Sequence, residues 1–263
     1  MRSFLFLLSC LFLLVLGTSP SLAAPEPWGL TFQPALSPVA HKIHDFHHLL
    51  IYLIFFIAFF VLGLLLYVTW RFRAAKNPVP SKTSHNTLLE IIWTGIPVLI
   101  LVAIVVPSMR LLYFTDVAPD TAFTIKVTGH QWYWQYEYPD HGGVGFDAYM
   151  IEEKDLKPGQ KRLLEVDNPL VLPVGTKIKF ILTSADVIHS WAMPSLAIKT
   201  DVVPGRLNET WTLIEKEGTY YGQCSEICGV GHAFMPIVIK AVSPEAFDLW
   251  IQEKGGKVPQ KTL

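Results

Sequence analysis

The segment Cys224-Ser225-Glu226-Ile227-Cys228-Gly229-Val230-Gly231-His232-Ala233-Phe234-Met235 places two thiols, an imidazole and a thioether in one short loop. These are soft or borderline ligands, which select copper over hard cations such as magnesium or calcium. A mononuclear electron-transfer copper site takes one Cys, two His and a weak axial ligand such as Met. The second Cys is surplus to that set. Because two thiolates can each bridge two metals, the loop plus one outside His suits a pair of coppers. Two other readings stay open on these residues alone. In an oxidising compartment Cys224 and Cys228 default to a disulfide. With His189, the two Cys and His232 would also satisfy a structural zinc ion, although zinc leaves Met235 without a role. The absence of Cys-x-x-Cys-His excludes covalent haem attachment.

On both sides of the loop the chain reads as β. From Val117 onward, β-branched and aromatic residues are punctuated by Gly and Pro in runs too short for helices. Strands are predicted over 123–128, 131–138, 177–183, 187–193, 209–214, 219–224 and 236–242. Seven short strands between turn signals imply a sandwich or Greek-key barrel. The outside ligand should come from an earlier strand of that barrel. His189, in Asp186-Val187-Ile188-His189-Ser190-Trp191, follows the alternating strand 177–183 and sits beside aromatic cover. A short helix should start at Ser243-Pro244-Glu245, with Ser at the cap and Pro in the first turn, and run through Phe247 and Trp250.

Before this domain lie three apolar blocks. Residues 4–16 follow Arg2 and end in small residues, the layout of a signal peptide over 1–23 cleaved after Ala23, and Cys10 would leave with it. Thirteen apolar residues are short of the ~20 needed to span hydrocarbon. An exported segment, 24–48, would follow. Residues 49–70 and 88–109 are each long enough to cross a bilayer and read as a transmembrane hairpin. The connecting loop, 71–87, carries Arg71, Arg73, Lys76 and Lys82 with no acidic residue, which places it in the cytoplasm and both hairpin ends outside. Trp70 and Tyr113 suit the membrane interface. His41, His44, His47, His48 and His85 flank the helices and read as interfacial or loop residues without a metal.

Composition removes other classes. The 263 residues are 51% hydrophobic and 16% charged, with a net charge of −1 and a mean hydropathy of +0.36. No global positive field exists to hold nucleic acid. The part after residue 117 counts fourteen Lys and Arg against eighteen Asp and Glu, hence −4, a mild acidity that suits a basic partner.

These residues resemble the subunit II family of haem–copper cytochrome c oxidases, in its bacterial, proteobacterial-like form, from about Thr31 to Val242. The resemblance implies a cupredoxin-like Greek-key barrel over 118–243, after the hairpin, with a C-terminal helix and tail over 244–263. It implies that Cys224 and Cys228 bridge the coppers of a dinuclear CuA centre, that His189 and His232 each bind one, and that Met235 and the backbone carbonyl of Glu226 are further ligands. The side chain of Glu226 would reach a magnesium ion shared with subunit I. Gly129-His130-Gln131-Trp132-Tyr133-Trp134-Gln135-Tyr136-Glu137-Tyr138 looks like the family's aromatic segment, in which the residue matching Trp132 receives the electron from cytochrome c. Leu89-Glu90-Ile91-Ile92-Trp93-Thr94 matches the start of the second membrane helix, where Glu90 would lie near the cytoplasmic mouth of a proton path into subunit I. Read by position alone, Glu90 equally suits a solvated residue that helps start the helix.

Asp167, within Leu164-Glu165-Val166-Asp167-Asn168, and Asp186 resemble positions of an acidic docking face for cytochrome c. Ala185 and the loop Asp140-His141-Gly142-Gly143-Val144-Gly145 depart from the family pattern, being less acidic. The function implied is the electron-accepting subunit of a proton-pumping terminal oxidase in the bacterial inner membrane. Its copper domain would face the outer side, and the haems and oxygen reduction would belong to subunit I. On the residues alone, a copper-transfer chaperone and a copper-free structural subunit like those of quinol oxidases remain as alternatives, although the intact ligands argue against the second.

Overall fold

The computed structural model describes residues 22–259. The leader expected over 1–23 therefore lies outside the described residues except for its last two. Those two form strand β1, Leu22–Ala23. Helix α1 spans Pro38–Arg71 and helix α2 spans Thr87–Asp116. Both are long and apolar enough to cross a membrane. Their side chains from Leu49 to Trp70 and from Leu88 to Tyr113 are largely exposed, as expected of surfaces whose solvent is lipid. The start of α2 is fixed locally, because the Asn86 side chain accepts a hydrogen bond from the Leu89 N–H at 3.2 Å. At the opposite end of the pair the Lys42 ammonium sits 4.7 Å from the centre of the Phe114 ring.

The remaining strands are β2 (Phe123–His130), β3 (Tyr133–Tyr138), β4 (Val144–Ala148), β5 (Leu170–Pro173), β6 (Lys177–Ser184), β7 (His189–Met193), β8 (Ile198–Val202), β9 (Asn208–Leu213), β10 (Gly218–Cys224) and β11 (Pro236–Val242). One sheet runs β5-β11-β10-β7-β8, with β1 joining β10, and the other runs β4-β3-β2-β6-β9. Both sheets are mixed: β2 pairs parallel with β6, and β11 with β5. Period-two burial in β2 and β6 turns Ile125, Val127, Ile178, Phe180 and Leu182 inward, where they join Tyr220, Ile237 and Ile239 of the other sheet in one core. The result is two apolar helices followed by a β-sandwich.

Three of these strands escape the sequence pattern. Strand β4 starts beside Gly142-Gly143 and contains Gly145, and β5 is four residues long and closed by Pro173. Strand β8 buries only Ile198 and Val202, while Lys199 and Asp201 face out at a sheet edge; such residues are depleted in strands and mask the pattern. Gln131 and Trp132 form the turn between β2 and β3 rather than the start of β3, and β7 begins at His189 rather than Val187.

Helix α3, Pro244–Glu253, closes the domain. The Ser243 hydroxyl caps it by accepting the Ala246 N–H at 3.2 Å. It buries Phe247 and Ile251. The Phe247 ring stacks on Phe123 at 5.5 Å between centroids and meets His141 edge-on at 5.3 Å. His141 is only 3% exposed and its Nδ1 has no hydrogen-bond partner among the described residues. Burial pushes its pKa below the usual histidine value, and Asp140 and Asp248 oppose that shift without cancelling it. In the window between the lowered folded pKa and the unfolded value near ~6.5, the unfolded chain binds more protons. The stability His141 contributes is thus intact above that unfolded value and is lost as pH falls through the folded one. Denaturation midpoints at pH 7 and 5.5 should show a larger acid loss for the native chain than for His141→Phe.

Candidate metal centre

Strands β10 and β11 are antiparallel neighbours in which Gln223 faces Pro236. The chain between them is the Cys224–Met235 loop, and its neck is closed by the Cys224 N–H donating to the Met235 carbonyl at 3.4 Å. Strand β7 lies on the other side of β10, with Trp191 opposite Cys224. This brings His189, at the start of β7, to the mouth of the loop. The Ser225 N–H donates to the Ser190 carbonyl at 3.0 Å and ties the loop to β7.

The two thiols are free and buried, 3.9 Å apart. Cys224 Sγ is 4.0 Å from His189 Nδ1 and 3.3 Å from the Glu226 carbonyl oxygen. Cys228 Sγ is 3.5 Å from His232 Nδ1 and 3.6 Å from Met235 Sδ. The donor atoms of His189, Cys224 and Cys228 all lie within 4.8 Å of one another, and this is the one such group of His, Cys, Asp and Glu among the described residues. The folded domain therefore gathers two sulfurs, two imidazole nitrogens, a thioether and a carbonyl. Such a set fits a soft or borderline transition metal and does not fit magnesium or calcium. It is compatible with copper.

Electrostatics polarise the pair. Burial alone would raise the Cys224 pKa, but hydrogen bonds with His189 and with backbone groups of Ser190 and Glu226 outweigh it and hold the thiol below its usual range. Burial pushes the Cys228 thiol up, and the charge on Cys224 pushes it further. Burial likewise disfavours the His189 imidazolium, yet Cys224 and Asp186 overcome this and leave its pKa raised.

Surrounding contacts fix these donors. The Asp186 Oδ1 lies 2.9 Å from His189 Nε2, which leaves Nδ1 facing Cys224. The same carboxylate accepts the Val187 N–H at 2.6 Å and the Gln131 N–H at 2.7 Å. These bonds hold Asp186 below its usual pKa although burial works the other way. Gly129 lies against the His189 ring: a Cβ there would come within 2.9 Å of Cδ2. The Cys228 carbonyl accepts both the Gln131 side chain at 2.8 Å and the Trp132 indole N–H at 3.1 Å, and the Trp134 indole N–H reaches the Met235 carbonyl at 3.2 Å.

The structure thus brings His189, Cys224, Glu226, Cys228, His232 and Met235 together, with Trp132 and Asp186 touching the group. Asp167 stands apart, exposed, and its Oδ1 accepts the Tyr149 N–H at 2.8 Å. Glu165, from the same stretch, is buried and accepts the Tyr221 hydroxyl at 2.7 Å, so it presents no surface charge. Glu90 lies in the first turn of α2, in the other compact unit of the chain. The side chain of Glu226 is exposed. Gln131 and Gly129 fall within the aromatic segment, but their contacts with Cys228 and His189 leave no local signal, because those partners are distant in sequence.

Comparison with known proteins follows the same division. Residues 123–242 match the family described as cytochrome C oxidase subunit II, periplasmic domain, and residues 25–111 match its transmembrane domain. A probable cytochrome c oxidase subunit 2 of Rickettsia felis is 54% identical over 241 residues, covering 92% of this chain and 76% of that one. The mitochondrial cytochrome c oxidase subunit 2 of Glycine max is 50% identical over 246 residues, covering 91% of this chain and 62% of its own. Among solved structures, the periplasmic domain of subunit II of cytochrome oxidase of Bradyrhizobium japonicum is similar with a TM-score of 0.50 and 49% identity, covering 53% of this chain and 97% of that one.

Removing the Asp186 carboxylate frees the His189 ring to turn and to change tautomer. Outer contacts of this kind are worth roughly 10–100-fold in metal affinity. Asp186→Ala should lose copper to a competing chelator at correspondingly lower chelator concentration than the native chain, with the β-domain still folded.

Proposed function

Because the chain belongs to the cytochrome c oxidase subunit II family, we propose that it is the subunit through which electrons from reduced cytochrome c reach the oxidase, by way of a dinuclear copper centre in its β-domain. It is a membrane-bound subunit of the oxidase and works with the other oxidase subunits. The observation that carries the proposal is the free thiol pair 3.9 Å apart, with an imidazole beside each sulfur and the Met235 thioether beside Cys228. Six donors are more than the four that a structural zinc or a mononuclear copper takes.

Copper bound there would supply a one-electron carrier. The chain's own part is to hold the donors in place before metal arrives. The neck of β10 and β11 fixes Cys224 and Met235, and β7 with Asp186 fixes His189. Core packing excludes water from the buried sulfurs, and a dry surround tunes the potential of a metal site. Trp132 is half-buried and reaches from the surface to the Cys228 carbonyl, so it is the side chain placed to receive an electron from a docked donor.

The remaining assignments belong to the same reading. With Arg71, Arg73, Lys76 and Lys82 on the cytoplasmic side, the copper domain faces the periplasm. Its acidic balance, with Asp167 and Asp186 at the docking face, steers a basic cytochrome c. Glu226 turns its carbonyl to Cys224 and leaves its carboxylate for a magnesium ion shared with subunit I. Glu90 marks the cytoplasmic mouth of a proton path. Oxygen is reduced and protons are pumped by the haem-bearing subunit I.

Metal analysis and EPR of the copper-loaded chain test the centre. The expected result is two coppers per chain sharing one unpaired electron, seen as a seven-line pattern; one copper with a four-line pattern, or zinc alone, overturns it. Trp132→Phe should slow electron uptake from cytochrome c by roughly tenfold to a hundredfold, on the scale that misplaced reacting groups cost. Raising the ionic strength should slow the same step in the native oxidase, and a rate indifferent to salt would contradict the docking face.

A further inference from the structure

We propose that Gly231 is a positioning residue for electron uptake: its missing Cβ is what allows the Trp132 indole to lie flat against the ligand loop and keep its N–H on the Cys228 carbonyl. The inference rests on the reading of Trp132 as the electron-receiving residue and names what sets that residue's place.

The loop offers the indole two glycines with one residue between them. A Cβ on Gly229 would lie 3.0 Å from Cζ2 of Trp132 and 3.1 Å from Nε2 of Gln131. A Cβ on Gly231 would overlap Cγ and Cδ2 of the same ring and come within 2.7 Å of Cε3. Val230, between them, points away and is 89% exposed. The indole therefore takes up the space that a side chain would need at both positions.

The two glycines are required for different reasons. Gly229 has φ of 115°, a conformation that side-chain-bearing residues rarely adopt. Gly231 has φ of −92° and ψ of 10°, which any residue can take. Backbone geometry gives no reason for glycine at 231, and the ring does. The clash is with the root of the indole, Cγ and Cδ2, where rotation about the side chain gains least room. An added methyl must therefore lift the ring from the loop and lengthen or break the 3.1 Å bond from Nε1 to the Cys228 carbonyl. Gln131, on the same carbonyl at 2.8 Å, would be left as its side-chain donor. Cys228 is a proposed ligand, so that bond is a direct connection between the half-buried ring and the donor set.

The experiment has two readouts. In the copper-free full chain in detergent, labelled with 15N-tryptophan, the Trp132 indole N–H signal is identified as the one that Trp132→Phe removes. Gly231→Ala should move that signal upfield, toward an indole with no acceptor. In the assembled oxidase, Gly231→Ala should slow electron uptake from reduced cytochrome c by roughly tenfold or more. The double variant Gly231→Ala with Trp132→Phe should be no slower than Trp132→Phe alone, since the two act through one contact.

An indole signal unmoved by Gly231→Ala overturns the proposal. So does a slowing that persists undiminished in the Trp132→Phe background, because the methyl would then be acting on His232 and the ligand loop directly. The underlying reading fails differently: if Trp132→Phe by itself leaves uptake at the native rate, Trp132 is not the receiving residue, whatever Gly231→Ala does to the signal.

Discussion

Everything at the candidate metal centre depends on the short antiparallel neck at which β10 runs into the Cys224–Met235 loop and β11 leaves it. Cys224 and Met235 face each other across that neck, and the bond between their backbones fixes the distance from which the loop must fold back. Two buried thiols 3.9 Å apart, with no disulfide between them, would relax in a free loop. Here they do not, because one sits on a strand within the sheet and the other is pinned through its carbonyl by Gln131 and Trp132. Strand β7 then adds His189 from the opposite flank, where a ligand so far away in sequence can be aligned only by sheet register. The donor set is a consequence of how three strands are paired.

The groups that restrain the loop are the same ones that connect it to the surface. The Trp134 indole holds the Met235 carbonyl from inside the core, and the neighbouring Trp132 holds the Cys228 carbonyl from the edge. Next to Trp132, the rings of His130, Tyr133 and Tyr149 stack at 4.5 Å spacings, and Asp167 secures the Tyr149 backbone. An aromatic layer that is ordinary packing on its inner side thus becomes an exposed face on its outer side. Contacts that order the candidate donors would also leave a bound metal little freedom to reorganise when its charge changes.

The sequence made some of this legible and hid the rest, for physical reasons. Residues of unusual chemistry at close spacing, such as Cys224, Cys228, His232 and Met235, declare themselves because few other structures need them together. The two apolar runs declare themselves through length and through the basic loop between them. Strands β2, β6 and β11 follow from alternation or β-branched content, whereas β4, β5 and β8 are short, rich in Gly or Pro, or charged on their outer face, and are held by their neighbours rather than by propensity. Gly129, Gln131 and Gly231 were silent for another reason. What each does is defined by a ring or carbonyl that the fold brings to it from a distant part of the sequence.

The acidic residues show how far residue type falls short of role. Asp167 and Asp186 look alike in sequence as candidates for a docking face. Asp167 is exposed and spends one oxygen on backbone amides of Tyr149 and Asn168, so its charge still faces solvent. Asp186 is engaged by His189, Val187 and Gln131, on both of its oxygens. Those donors fix the carboxylate in one orientation beside the His189 ring. Its contact orients the His189 ring among the candidate donors. In the proposed docking, Asp167 keeps an open charge for a partner, whereas Asp186 is tied to the ring of a candidate ligand.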